Sequence, residues 1–285
     1  MSEPRSAPTV GQLVLGKRLQ VLRENAGLSP AQAAAALDVN QTTIRRMEKA
    51  EVGLRLVYVG KLLHTYGVAG DEIQQFLALA QEANKPGWWH GYRDVLPEWF
   101  SVYVSLEGAA KRIRAYEPHY VPGLLQTADY VRTLLRVGFP DACGPELDRR
   151  IDLRLERQSL LTRPDAPHLW VVMDETVLRR DIGGPEVRRG QVQRLIDAVA
   201  APNVTLQVLP FSAGPHPGAF GPFQLFGFEI PELPDIVYLE SLTGASYLDQ
   251  HDDVVTYQRT LDRMCEQAVT PHGTEALLGE LLKEI

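Results

Sequence analysis

Cysteine is almost missing from this chain. Two residues, Cys143 and Cys265, in 285 give neither a disulfide framework nor a metal-spaced pair, so both are expected as reduced thiols in a cytoplasm. Long apolar runs are missing too: nothing approaches the ~18–20 consecutive residues that span a bilayer. The first ten residues are polar, with Pro4 and Pro8 and no apolar signal core, so neither export nor membrane insertion is expected. The chain has no G-x-S-x-G, no P-loop and no His pair at ligand spacing. No catalytic residue, no metal ligand and no cofactor is therefore assigned. Internal repeats and low-complexity tracts are absent as well.

An excess of positive charge is lacking: 29 Lys/Arg stand against 36 Asp/Glu, a net charge of −7. That total argues against a nucleic-acid partner, but its distribution argues the other way. Residues 1–85 hold 10 basic and 8 acidic side chains, a balance of +2, which leaves −9 for the other 200 residues. Within 17–61 the count is 8 basic against 4 acidic. A basic head on an acidic body is the electrostatic footprint of a DNA-binding module attached to something else.

What is present is centred on residues 29–49, SPAQAAAALDVNQTTIRRMEK. Ser29 is placed as an N-cap, Pro30 at the first helical position, and Gln32 completes a capping box. Ala33, Ala34 and Leu37 supply a buried face. Asp38 stands where the chain must reverse through a left-handed conformation. Asn40 caps a second helix in which Ile44 and Met47 face inward. Gln41, Thr42, Arg45, Arg46 and Lys49 are left outward, a face of amide, hydroxyl and cationic groups suited to a DNA groove. Solvation alone would also account for such a face.

In the rest of the chain, residues 1–10 read as a disordered arm and 11–85 as a five-helix all-α domain. Its first helix puts Leu15, Leu19 and Leu22 on one face, with Gly27 as its stop. A fourth helix near 54–66 is expected to bury Val57, Leu62 and Leu63. A fifth, near 70–84, is expected to be capped near Asp71 and to bury Ile73, Phe76, Leu77 and Leu79/Ala80. Residues 84–97 read as a linker whose Trp88, Trp89 and Tyr92 dock it onto the second domain or line a site. From 86 to 285, helices alternate with strands near 112–118, 168–174, 203–210, 223–228 and 236–240, which predicts a larger mixed α/β (α+β) domain.

The run Leu15-Gly-Lys-Arg-Leu, Gly27-Leu-Ser and Gln41-Thr-Thr-Ile-Arg-Arg-Met-Glu48 resembles the XRE-family, lambda-repressor-like helix-turn-helix regulators across 11–85. The resemblance implies that the second motif helix lies in the major groove. It places Gln41, Thr42 and Arg46 at groove-facing positions, with Thr43 and Arg45 flanking. Gln can pair bidentately with adenine and Arg with guanine, while Thr can reach a phosphate or a thymine methyl. Two departures stand out. Pro30 replaces the phosphate-contacting Gln usual in the family, and Ala50 replaces the Gly usual after the recognition helix.

Trp88-Trp-His, Tyr116-Glu-Pro, Val121-Pro-Gly-Leu-Leu-Gln-Thr, Leu178-Arg-Arg and His216-Pro-Gly look like the C-terminal domain of actinobacterial antitoxin-like regulators. That second resemblance implies a regulator paired with a small partner protein encoded nearby. The expectation is thus a homodimeric transcriptional regulator binding double-stranded DNA, its C-terminal domain serving dimerisation and reception of a partner or an unknown small-molecule ligand. An interaction protein of antitoxin type, binding DNA to control itself, is the alternative.

Three constellations in the second domain carry chemistry-bearing side chains. Arg112, Arg114 and Glu117 could meet an anion or pair along a strand. Asp174, Glu175 and His216 could form a hydrolytic site, but no nucleophile accompanies them. His251-Asp252-Asp253 fits a helix start better than a metal site. The doublets Arg149/Arg150, Arg179/Arg180 and Arg188/Arg189 could extend DNA contact, hold an acidic partner or be solvated.

Overall fold

The computed structural model describes residues 8–85, 87–231 and 233–285. Most of the arm expected at 1–10 lies outside the described residues; the first helix already begins at Val10 with Thr9 as its cap. The described chain divides into two compact units. One comprises residues up to 93 together with 97–109 and 230–234, and the other 94–96, 110–229 and 235–285.

The first unit contains α1 (Val10–Asn25), α2 (Pro30–Leu37), α3 (Gln41–Glu48), α4 (Leu56–Thr65), α5 (Gly70–Ala83) and α6 (Glu98–Ala109). Its core gathers Leu15 and Leu19 of α1, Ala33, Ala34 and Leu37 of α2, Ile44 and Met47 of α3, Leu62 and Leu63 of α4, and Ile73 and Phe76 of α5.

One device ends the first four helices. In each, a residue with positive φ follows the helix, and the next N–H reaches back to the carbonyl five residues earlier: Leu28 to Arg23, Val39 to Ala34, Glu51 to Arg46, Val68 to Leu63. This is the Schellman arrangement, which satisfies carbonyls the helix leaves orphaned. Gly27 and Gly67 fill the left-handed position twice; Asp38 at φ 56° and Ala50 at φ 54° fill it where glycine would be easier.

Three expectations for this unit need correction. Val57 is 80% exposed and Val59 is buried instead. Because α4 starts at Leu56, its inward stripe runs through Val59, Leu62, Leu63 and Tyr66, on the side opposite Val57. Likewise Leu79 is exposed while Ala80 is buried. The α5 N-cap is Ala69, without a side-chain bond, and Asp71 and Glu72 lie in the first turn, where they favour the helix dipole. The aromatic cluster forms a short 3-10 turn, Trp88–Tyr92, that groups with this first unit. Trp89 is buried, and its ring lies so close over Gly87 that any Cβ there would collide with it.

The second unit is built on six strands: β1 (Arg112–Glu117), β2 (His168–Asp174), β3 (Val204–Leu209), β4 (Phe223–Gly227), β5 (Ile236–Ser241) and β6 (Gly244–Leu248). Their order is β3-β2-β1-β4-β5-β6. The first three run parallel, and β4, β5 and β6 join as antiparallel neighbours from β1 outward. Between β1 and β2 come α7 (Ala128–Gly138) and α8 (Pro145–Glu156); between β2 and β3 come α9 (Glu175–Arg179) and α10 (Gly184–Val199). The chain closes with α11 (His251–Gln267) and α12 (Pro271–Glu284). Leu261 and Met264 of α11 pack on Tyr116, Val172, Phe223 and Val237 of the sheet. α10 and α12 pack on each other and on β3.

β6 and α9 were not expected from sequence. Every residue of β6 is partly or fully exposed, so the strand lacks the apolar alternation that would announce it. α9 is one and a half turns held by its Asp174 cap, too short to show a period.

Candidate nucleic-acid interface

The motif helices are set by local chemistry. Ser29 Oγ accepts from Gln32 N–H at 3.3 Å and Gln32 Oε1 accepts from Ser29 N–H at 2.9 Å, a complete capping box. That box occupies the Gln32 carbonyl, and Pro30, at the first helical position, offers no N–H. Asp38 turns the chain through the left-handed region, and Asn40 Oδ1 accepts from Thr42 N–H at 2.8 Å to start α3.

Around α3 the side chains separate cleanly. At roughly 100° per residue, Gln41, Arg45, Lys49, Thr42 and Arg46 fall in that order on one continuous arc of about 140°. Thr43, Met47, Ile44 and Glu48 complete the circle. Gln41, Thr42, Arg45 and Lys49 are exposed, Arg46 and Thr43 intermediate, Ile44 and Met47 buried. The exposed arc holds three cations and no carboxylate. Arg46 Nε approaches Glu51 Oε2 at 3.7 Å across solvent, a loose pair that a phosphate or base could displace.

Residues that do not face solvent aim this helix, and sequence reasoning missed them. Arg23 of α1 and Glu48 of α3 form a bidentate pair, Nε to Oε1 at 2.6 Å and Nη2 to Oε2 at 3.1 Å. Each side chain is 7% exposed. Arg23 Nη1 also donates to Leu28 O at 2.8 Å, just before α2. One guanidinium thus ties the end of α1 to α2 and α3, and the bond to Glu48 raises its already high pKa further. Gly16 adds the second constraint: a Cβ there would lie 2.6 Å from Glu48 O and 2.9 Å from Met47 O, so α1 touches the last turn of α3 directly. Both signals were in the sequence. Arg23 interrupts the α1 stripe four residues after Leu19, and Glu48 sits four after Ile44, each a charge at an inward position.

Ala50, the second departure from the lambda-repressor-like pattern, keeps the backbone path glycine would give. Its φ is positive and its methyl is buried.

In the second unit the other constellations are spent structurally. Arg114 pairs with Asp262 at 2.6 Å and lies over the Trp170 ring. Arg112 approaches Asp235 at 3.9 Å. Glu117 Oε1 accepts from Gln224 Nε2 at 3.1 Å, and burial pushes its carboxyl up to about 7. His216 Nε2 lies 3.7 Å from Asp174 Oδ2 while its Nδ1 accepts from Gly218 N–H, which pins the Gly/Pro loop to the end of β2. Asp174 meanwhile caps α9, and Glu175 accepts from Phe211 N–H. Among the described residues no group of three metal-ligating side chains exists and no helix is long and apolar enough to cross a membrane.

Two capped helices joined by a left-handed turn, the second showing a polar cationic face, define a helix-turn-helix domain. A helix-turn-helix family model matches residues 14–76, which supports a DNA-binding regulator. Residues 100–280 match the model described as a domain of unknown function, DUF5753, and the chain belongs to that family. Among curated proteins and among solved structures nothing matches.

Proposed function

We propose that the protein is a sequence-specific, DNA-binding transcriptional regulator of lambda-repressor-like type. In this reading α3 enters the major groove, and Gln41, Thr42 and Arg46 meet base edges. Thr43, Arg45 and Lys49 address the phosphates beside them. The observation that carries it is the unbroken polar and cationic arc of α3, held in place by the buried Arg23–Glu48 pair. A buried ion pair is costly to build and gives direction more than stability. Here it fixes the angle of the one helix that needs fixing.

A single module of this size buries too little to be specific, so the protein acts as a homodimer on half-sites about 34 Å apart. The family domain supplies the dimer contact and receives a signal; it turns over no substrate.

Selection of bound duplexes from a random pool by the full-length protein tests this reading. An enriched motif made of two similar half-sites one helical turn apart is the expected result. Enrichment of no motif, at salt low enough for binding, contradicts it.

A further inference from the structure

The two edges of the six-stranded sheet are treated differently. At β3 the chain closes the ladder itself: Val208 N–H donates to Thr274 Oγ1 at 3.3 Å, and Val208 O accepts from Val269 N–H at 2.8 Å. At the other edge β6 pairs with β5, and no strand lies beyond it among the described residues. Proteins guard an open edge with lysine, proline or a bulge, because outward backbone groups recruit another strand. Residues 241–248, Ser-Leu-Thr-Gly-Ala-Ser-Tyr-Leu, hold neither charge nor proline. Pairing with β5 runs one to one from Ser241–Gly244 to Val237–Leu248, so no bulge bends the edge away. Apolar surface is left on both faces. Leu239 and Leu248 are partly buried toward α11, while the rings of Tyr238 and Tyr247 lie 5.3 Å apart on the opposite face. Leu242, at the turn, is fully exposed.

The side chains of β6 suit a second copy of the same strand. They are small at its start and large at its end. Laid antiparallel on another β6 about a twofold axis through Ser246, Gly244 stands opposite Leu248 and Ala245 opposite Tyr247. Each large side chain thus meets a small one. Charge agrees with that direction. Asp249, Asp252 and Asp253, all exposed just beyond the strand, fall at opposite ends of the paired edge, whereas a parallel pairing sets them side by side. The hairpin agrees with the register. Its two-residue turn, Leu242-Thr243, makes Ser241 and Gly244 a hydrogen-bonded pair. Gly244, Ser246 and Leu248 therefore direct their backbone groups at β5, and the residues between direct theirs outward, where Ala245 of one copy meets Tyr247 of the other.

We infer that β6 is the surface on which two copies of this chain meet, joined antiparallel about a twofold axis at Ser246 into one continuous sheet. The contact is isologous, the kind that closes a dimer and stops there. It deepens the proposed function by naming the surface that makes the dimer, and it rests on that reading for its purpose though not for the pairing itself.

Sedimentation velocity of the full-length protein over a concentration series tests it, with wild type beside Ser246→Lys. Ser246 is exposed, so lysine fits the single chain and far-UV circular dichroism should not change. In the dimer two ammonium groups meet on the axis, and the dimer Kd should rise at least about tenfold. Cross-linking tests the register separately. In a Cys143→Ser background, Ser246→Cys should give a covalent dimer on oxidation with copper–phenanthroline, because Cα atoms across such a non-hydrogen-bonded pair stand about 4.5 Å apart. Thr243→Cys, three residues off the axis, should not. A monomeric wild type would overturn the pairing and give the edge to a strand of another protein. Equal cross-linking at Thr243 and Ser246, or none at Ser246, would overturn it as well. A dimer that keeps its wild-type Kd in Ser246→Lys contradicts β6 alone and leaves the regulator reading standing. A protein that dimerises through β6 but selects no DNA motif contradicts the regulator reading alone.

Discussion

At the scale of single residues, three side chains hold conformations or charges that ordinary propensity would avoid. Asp38 is exposed and left-handed, and an L-residue there costs about 1 kcal/mol more than glycine. Asp38→Gly should therefore raise unfolding stability by about 1 kcal/mol in urea denaturation, and a loss would mean that the Asp side chain has a role of its own. Arg23 is the opposite case. Arg23→Ala strands Glu48 in an enclosed site at a cost of about 3 kcal/mol, which calorimetry would show as a large drop in Tm. Glu117 supplies the pH dependence. Its carboxyl goes from 4.5 to about 7 on folding, so the fold binds that proton more tightly than the unfolded chain does. Its contribution is complete below pH 4.5 and is lost as pH rises through 7, on the order of 3 kcal/mol. Glu117→Gln should flatten the decline of stability between pH 5 and 8, and an unchanged slope would place the titration elsewhere.

At the scale of elements, the motif was legible because its chemistry is local. Ser29, Gln32 and Asn40 cap the helices that their sequence offsets announce, and Ile44 and Met47 face the core. Sequence spacing failed where the deciding fact lay elsewhere in the chain. Val57 looked inward until the start of α4 fixed the phase of its turns, and β6 exists because β5 offers it an edge rather than because Gly244–Leu248 prefers to be a strand. The Arg23–Glu48 pair, too, was invisible as a pair, since 25 residues separate partners that only the packing of α1 on α3 unites. The same packing makes a prediction. Gly16→Ala should force α1 off the end of α3 and cost about 1–3 kcal/mol. It should weaken DNA binding without touching a DNA-facing side chain, and a variant with wild-type Tm and affinity would show that α3 does not depend on this contact.

At the scale of the whole molecule, the opposition between a basic head and an acidic body organises the account. Of a net −7, residues 1–85 contribute +2, and the exposed arc of α3 alone carries Arg45, Arg46 and Lys49. Fold class and the outward polar face of α3 could be read from sequence because amphipathic period and capping encode them. The strand order of the second unit could not, since which edges meet is decided by packing between segments far apart in the chain. Phosphate contact by Lys49 should show as a salt slope smaller by about 1 in Lys49→Ala, with affinity reduced evenly across sequences. The most direct test of the central claim is a binding-site profile of Gln41→Ala/Arg46→Ala against wild type at one salt concentration. Base preference should relax at particular positions in each half-site while the half-site spacing survives. The same motif bound with the same affinity would show that α3 does not read the DNA.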